Sequence, residues 1–242
     1  MILTLLFALV AVLFASVGQG GAPGYVAIMG LFGFSPHVIK PVALALTMLV
    51  AGIGVFRFWR MGLLVTRDWL PYAVLGVPFA VVGGAINLPP NTFRLVLAAI
   101  MAAAAFQMAR SALRATAMDE TATPPSYAVA VPVGGVIGLL AGVTGIGGGL
   151  FIAWLMMTRG WAPTRRVAAA AQVSNFITAA PALAGLWAAH PAFPAQLPQW
   201  TIAAAIGGFL GAWIGAKYLP AKVLRLMLAA ILLASAVKLA LG

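Results

Sequence analysis

The chain has 242 residues, 64% of them hydrophobic and only 7% charged, with 14 Lys plus Arg against three acids and no cysteine. A soluble domain carries roughly 25% charged residues, so this is an integral membrane protein, and the missing cysteines exclude disulfides, thiolate metal sites and cysteine catalysis. The net charge of +11 reads as topological, because basic residues hold cytoplasmic loops in place, and it points to the lipid bilayer and not to nucleic acid as the partner.

In chain order, the first element is MILTLLFALVAVLFASVGQG, which lacks the basic n-region of a cleavable signal and is kept as structure. It is an apolar run of about 15 residues, followed by a glycine-rich break and about ten more apolar residues. Three spans near the ~20 residues a bilayer needs come next, roughly Val38 to Phe56, Trp69 to Leu88 and Phe93 to Leu113. The stretch ATAMDETATPPS, 115–126, holds two of the three acids and a Pro-Pro pair, and reads as an exposed linker. After it the pattern restarts: an apolar run from Tyr127, the break GVTGIGGGL at 142–150, then spans of roughly Val167 to Trp187, Trp200 to Leu219 and Val223 to Leu241.

The restart is a duplication. A shift of 127 lays Gly18, Gly20 and Gly21 on Gly145, Gly147 and Gly148, and Thr47 on Ser174; a shift of 131 lays Trp69 on Trp200, Gly76 on Gly207, Leu88 and Pro89 on Leu219 and Pro220, and Arg94 on Arg225. One loop insertion around His190 to Pro194 accounts for the slip. The domain expectation is therefore a first transmembrane repeat over 1–114, a linker over 115–126 and a second transmembrane repeat over 127–242.

The basic residues choose the topology. If each broken element crosses fully, the 14 Lys and Arg divide eight to six, close to no preference. If it dips in and returns, each repeat crosses three times and the second is inverted. One face then holds eleven (Arg57, Arg60, Arg67, Arg110, Arg114, Arg159, Arg165, Arg166, Lys217, Lys222 and Arg225) and the other only Lys40, Arg94 and Lys238. That asymmetry fits the positive-inside rule. The expected fold is all-α: two inverted repeats, each a glycine-broken re-entrant hairpin or broken helix plus three transmembrane helices, with both termini on the non-cytoplasmic side.

Five glycines in the nine residues 142–150 cannot continue a helix through lipid, and irregular backbone at membrane depth is tolerated only inside protein or beside a wet cavity. In the inverted arrangement the breaks at 18–24 and 142–149 enter from opposite faces. Each second arm then turns a helix N-terminus, with free N–H groups and a positive dipole end, toward the middle, where an anion would bind. The predicted substrate-binding residues are Gln19, Gly20, Gly21, Thr144, Gly145, Gly147, Gly148 and Gly149 in the breaks. Thr47, Gln172, Ser174 and Asn175 join them from the following spans, where Thr178 shares a face with Ser174. The first repeat is poorer in such groups, with Ala45 and Met48 replacing the amides, so an asymmetric site is expected. Gly76, Gly84, Gly207, Gly211 and Gly215 read as helix-packing positions. Asp68, Asp119 and Glu120 read as loop residues, leaving no carboxylate in a span for a cation path. His37 and His190 read as solvated loop residues. Trp59, Trp69, Trp161, Trp187, Trp200 and Tyr218 read as interfacial anchors. No metal, cofactor or catalytic residue is indicated.

The string VTGIGGGLFIAWLM, the following TRGWAPTRRVAAAAQVSN and the LP-x-x-x-x-R element before each final span resemble the TauE/SafE family of membrane anion transporters. The resemblance covers essentially the whole chain. It implies a multi-pass permease of the bacterial cytoplasmic (inner) membrane that exports sulfite, sulfoacetate or a related organosulfur anion, with Gly145, Gly147, Gly148, Gly149, Gln172 and Asn175 as its site. GQGGAPG in the first repeat departs from the pattern, lacking the glycine triplet and carrying Pro23. The alternatives are a non-transporting membrane scaffold or assembly factor and, weakest for want of carboxylates, a cation carrier.

Overall fold

The computed structural model describes residues 2–113, 124–187, 191, 193–215 and 221–241. All regular structure among them is α-helical, in ten helices: α1 (Ile2–Ser16), α2 (Ala22–Leu31), α3 (Pro36–Arg60), α4 (Thr66–Ala85), α5 (Pro90–Leu113), α6 (Tyr127–Thr144), α7 (Gly149–Arg159), α8 (Thr164–Trp187), α9 (Leu197–Gly215) and α10 (Ala221–Leu241). Among the described residues α3, α4, α5, α6 and α8 are long and apolar enough to cross a bilayer, so the chain is a multi-pass membrane protein. Residues 115–123 of the linker, with Asp119 and Glu120, together with His190 and Tyr218, lie outside the described residues.

Both predicted breaks are real. α1 stops at Ser16 and α2 starts at Ala22, with Gly18 (φ 78°) and Gly21 (φ 82°) left-handed between them. α6 stops at Thr144 and α7 starts at Gly149, with Gly145 (φ 74°) and Gly147 (φ 80°) left-handed. A residue with a Cβ loses roughly 1–2 kcal/mol in that region, so glycine sets where each helix ends. The arms before the breaks are longer than re-entrant segments usually are: α1 has 15 residues, and α6, with 18, is itself long enough to cross.

Small residues set the helix pairing. Cβ atoms added at Gly134, Gly138 and Gly142 would strike the backbone of Tyr72, Gly76 and Ala80 in turn, so α6 and α4 run parallel in near-backbone contact. On the other flank Gly207 and Gly211 meet the backbone of Ala8 and Val12, laying α9 parallel to α1 in the same way. Gly84 meets Ala182, and Gly185 meets Val81, where α4 crosses α8. The packing role expected of Gly76, Gly84, Gly207 and Gly211 holds. Between these flanks α3 and α8 are antiparallel, Gly54 lying on Gln172 and Gly52 on Phe176. α5 and α10 also pack together. Swapping the two halves of the chain thus carries α4·α6 onto α9·α1, and α3·α8 and α5·α10 onto themselves.

Two charged contacts fix α4, and both correct the sequence reading. Asp68 is not a loop residue but sits in the first turn of α4, 3% exposed. Arg166, at the start of α8, grips it in a fork, Nε donating to Oδ2 at 2.7 Å and Nη2 to Oδ1 at 2.6 Å. At the far end of α4, the buried Lys40 amine donates to the carbonyls of Gly83 (3.2 Å), Gly84 (2.8 Å) and Ile86 (2.7 Å). These carbonyls end α4 at its negative dipole end, the Gly83 carbonyl also accepting from the Ile86 N–H, so the lysine caps the helix. Asp68→Asn leaves Arg166 without its carboxylate. Because the Arg166 side chain is 33% exposed, solvent screens part of the loss, and about 1–3 kcal/mol is expected where a fully buried pair costs about 3–5. The check is the melting temperature in detergent: Asp68→Asn lowers it, and the swapped pair Asp68→Arg with Arg166→Asp recovers part of it. A third correction concerns Trp200, which is 4% exposed and stacked edge-on against Phe7 and Phe34, so it is core and not an interfacial anchor.

Candidate functional site

The two breaks converge on one side chain. Asn175, in the middle of α8, is 3% exposed, and its Oδ1 accepts the Gly149 N–H at 2.7 Å. The same oxygen stands against Gly147, where an added Cβ would come within 2.6 Å of it. Its Nδ2 faces the other break, 2.8 Å from where a Cβ on Gly20 would lie, and Thr47 of α3 touches both Gly20 and Gly147 through its methyl group. Asn175 and Thr47 thus bind two irregular segments about 130 residues apart in sequence into one unit. An amide suits the place because it offers an acceptor to one break and a donor to the other.

A short network extends from there. Gly148 donates its N–H to Thr178 Oγ1 at 2.9 Å, and that hydroxyl donates to the Ser174 carbonyl at 2.6 Å, one turn back on α8. Ser174 Oγ lies beside Gly148. The amides of Gly148 and Gly149 at the head of α7 are therefore occupied by side chains of α8. This corrects the expectation that both second arms offer open N–H groups. The head of α2 differs, since Gly21 provides no side-chain cap and Pro23 follows in the first turn.

Two buried unpaired groups belong to the first repeat's side of this unit. Thr47 Oγ1 and Tyr25 OH are buried without a hydrogen-bond partner, although both residues are 0% exposed. The tyrosine hydroxyl stands against Gly21, as Thr47 stands against Gly20. A buried hydroxyl left unpaired costs about 1–3 kcal/mol; that of Tyr25 stands at Gly21, and Thr47, whose methyl touches both breaks, carries the other. The second repeat contributes Asn175, Ser174 and Thr178 to this unit, where they pair with the head of α7 or with each other, and Tyr25 and Thr47 are the first repeat's additions.

The remaining predicted residues divide. Thr144 donates to the Leu140 carbonyl at 2.6 Å and accepts from Ile146 N–H at 3.4 Å, and Gly145 donates to Ala141 at 2.9 Å while packing on Lys40; both terminate α6 and stand apart from Asn175. Gln172 lies one turn from Asn175, pressed on Gly54, with Oε1 buried and unpaired. Gln19 lines a cleft of ≈ 50 Å³ together with Gly18, Gln107, Ala168 and Ala171. Ala171 also touches Gly149 through its carbonyl, so the cleft floor adjoins the Asn175 unit. Sequence reasoning missed Tyr25 and Gln107. A tyrosine four residues past a glycine break, and an amide alone in an alanine-rich span, were the available signals. Among the described residues no three His, Asp or Glu side chains gather to hold a metal.

Comparison with known proteins bears on this arrangement directly. The chain matches the family described as "Sulfite exporter TauE/SafE" over residues 3–239. It is similar to the "Probable membrane transporter protein y4hK" of Sinorhizobium fredii (strain NBRC 101917 / NGR234), 43% identical over 239 residues that cover 98% of this chain and 96% of the relative. No solved structure matches. A helical multi-pass chain with two glycine breaks closed on a mid-span amide, matched from end to end, belongs to the TauE/SafE family of membrane transporters, which are not enzymes.

Proposed function

We propose that the protein is a secondary transporter that carries a small anion, a sulfur oxyanion or sulfonate such as sulfite or sulfoacetate, across the bacterial cytoplasmic membrane. The ligand sits between two inverted repeats, 1–114 and 127–242, joined by the linker 115–126. The observation that carries the reading is the convergence of both breaks on Asn175, with the unpaired hydroxyl of Tyr25 at Gly21 and Thr47, whose hydroxyl is also unpaired, packed by its methyl between Gly20 and Gly147. Those hydroxyls and the Asn175 Nδ2 are donors, and the uncapped head of α2 adds a positive dipole end, so the guest that fits is negative.

The inverted arrangement is supported by the contacts of the two turns. Gly18 lies on Ala168 and Phe58, beside the ends of α3 and α8 that carry Arg57, Arg60, Arg165 and Arg166, whereas Gly145 lies on Lys40 at the opposite end of α3. The antiparallel pairing of α3 with α8, equivalent helices of the two halves, supports it too. On this reading the arginine-rich end is cytoplasmic and both termini are outside.

The test is flux in liposomes. Purified protein is expected to move labelled sulfite or sulfoacetate, and a thermal-shift screen of sulfite, sulfoacetate, taurine, sulfate and short carboxylates is expected to raise the melting temperature for the true substrate class only. No movement of any labelled anion returns the protein to a scaffold role.

A further inference from the structure

At the arginine-poor end of the molecule the heads of α3 and α5 and the tails of α2 and α10 enclose a cavity of ≈ 370 Å³, within the range of about 300–1,000 Å³ typical of ligand pockets. Its wall is apolar, built from buried Ile39, Phe93, Leu97 and Leu239, and two cations open into it, Arg94 and Lys238. That end has three basic residues in all. Lys40, the third, is fully engaged by the carbonyls of α4, so the two remaining cations share one cavity.

Their partners are few. Lys238 Nζ donates to the Leu31 carbonyl at 2.5 Å, at the tail of α2, which uses one of its three N–H groups. Among the described residues the Asp68–Arg166 pair is the only ion pair, and it lies at the other end of α4. Arg94 and Lys238 therefore face the cavity with no described carboxylate opposite. Two cations at one cavity mouth, Lys238 exposed and Arg94 half-buried, add their fields over the apolar wall.

We propose that this cavity is an oxyanion-binding vestibule, in which Arg94 and Lys238 hold a sulfonate, sulfate or phosphate group at the face away from the arginine-rich loops. Its binding stands by itself. Its role, collecting or releasing the carried anion on that face, rests on the transport reading. Arg94 suits the work through its planar fork, which takes two oxygens of a tetrahedral group at once. The ligand chemistry is shared by a soluble oxyanion and by the phosphate of an anionic lipid, and the experiment separates them.

The full chain is placed in nanodiscs of phosphatidylcholine alone and titrated with methanesulfonate and inorganic phosphate in low-salt, chloride-free buffer. The background is Asn175→Leu, so that only the vestibule is read. Binding is expected to weaken about 10-fold in Arg94→Gln, to recover in part in Arg94→Lys and to fade as salt rises. Arg94→Gln carries the test by itself, since Arg94 supports no described hydrogen bond whereas Lys238 ties α10 to the tail of α2. Nanodiscs containing phosphatidylglycerol form the second arm. Lipid retained in native mass spectra of the Arg94 protein and lost from Arg94→Gln assigns the oxyanion to a headgroup, and soluble anion displaced by that lipid says the same.

Equal affinity in the Arg94 protein and Arg94→Gln for methanesulfonate, phosphate and phosphatidylglycerol overturns the vestibule. Flux distinguishes this from failure of the transport reading. With Asn175 intact, Arg94→Gln is expected to raise KM about 10-fold for anion supplied on that face with maximal rate little changed, the mark of binding lost equally in ground and transition states. A protein that binds at Arg94 but moves nothing keeps the vestibule and loses the transporter.

Discussion

Asn175→Asp is expected to abolish anion flux while leaving a folded, membrane-inserted protein. The carboxylate has the size of the amide and still accepts the Gly149 N–H, now at 2.7 Å from Oδ1, and it gains from the dipole at the head of α7. What it loses is the donor directed at Gly20, and it adds a fixed negative charge where the proposed ligand is negative. Like charges in a poorly screened site repel by several kcal/mol, so a fall in flux of at least about 100-fold is expected. Asn175→Leu reaches the same flux by another route. It strips the acceptor from Gly149, leaving a buried N–H unpaired at about 1–3 kcal/mol, and it detaches the two breaks from each other. The pair separates ligand chemistry from architecture: the leucine variant loses the Gly149 bond and the aspartate variant keeps it at the cost of a buried charge, and both are silent in liposomes. Near-normal flux in the aspartate variant would remove the anion from this site.

The parts of this protein that could be read in its sequence are those governed by local rules. A run of about 20 apolar residues is a helix in lipid wherever it occurs, and α3, α5 and α8 lie within a few residues of their predicted bounds. Glycine at a left-handed turn is equally local, which is why both breaks were legible. Polar residues in an apolar span must face inward, and so Asn175, Ser174 and Thr47 were found. Which inward group pairs with which is not local. That Thr178 and Asn175 occupy the head of α7, leaving Tyr25 and Thr47 unpaired by the other break, depends on α8 crossing one hairpin closer than α3 crosses the other. The charged residues were misjudged for a related reason. Asp68 and Lys40 lie near span ends, where a chain of this composition normally meets water, but α4 is held between α6 and α8 and its ends are covered by neighbours, so Asp68 is ion-paired with Arg166 and Lys40 is hydrogen-bonded to carbonyls inside the protein.

The two breaks are built alike and employed differently. In α7 the amides are pre-paired with α8, which makes a rigid edge. At α2 the edge has a proline, no side-chain cap and two unpaired hydroxyls. A guest anion at the first break gains donors that have no competing partner, and the rigid second break holds Asn175 in place to meet it. Preorganised donors lose little on binding. On the proposed reading, the first repeat's departure from the triple glycine marks a division of work between the halves and not decay of one of them.

Gly149→Ala is expected to cost more flux than Gly160→Ala, and the comparison tests whether the fit between α7 and α8 sustains function. An added Cβ at 149 would run into the Ala171 carbonyl and the Asn175 amide together. Neither can yield, one being helical backbone and the other fixed by its bond to the same residue. Gly147→Ala meets Asn175 Oδ1 at 2.6 Å and adds strain from its φ of 80°. Gly160 supplies the control: it is left-handed as well, with φ 64°, but a Cβ there meets nothing within 4 Å. Gly160→Ala should therefore lose only the conformational term, about 1–2 kcal/mol, with flux unchanged. Gly149→Ala, which has ordinary helical backbone and no such term, should still lose about 1–3 kcal/mol from overpacking and at least 10-fold in flux, because the displaced group is Asn175 itself. Paired melting and flux measurements decide it. If the two variants lose stability alike and both keep flux, the glycines of the second break serve chain reversal alone, and close contact with Asn175 has no part in transport.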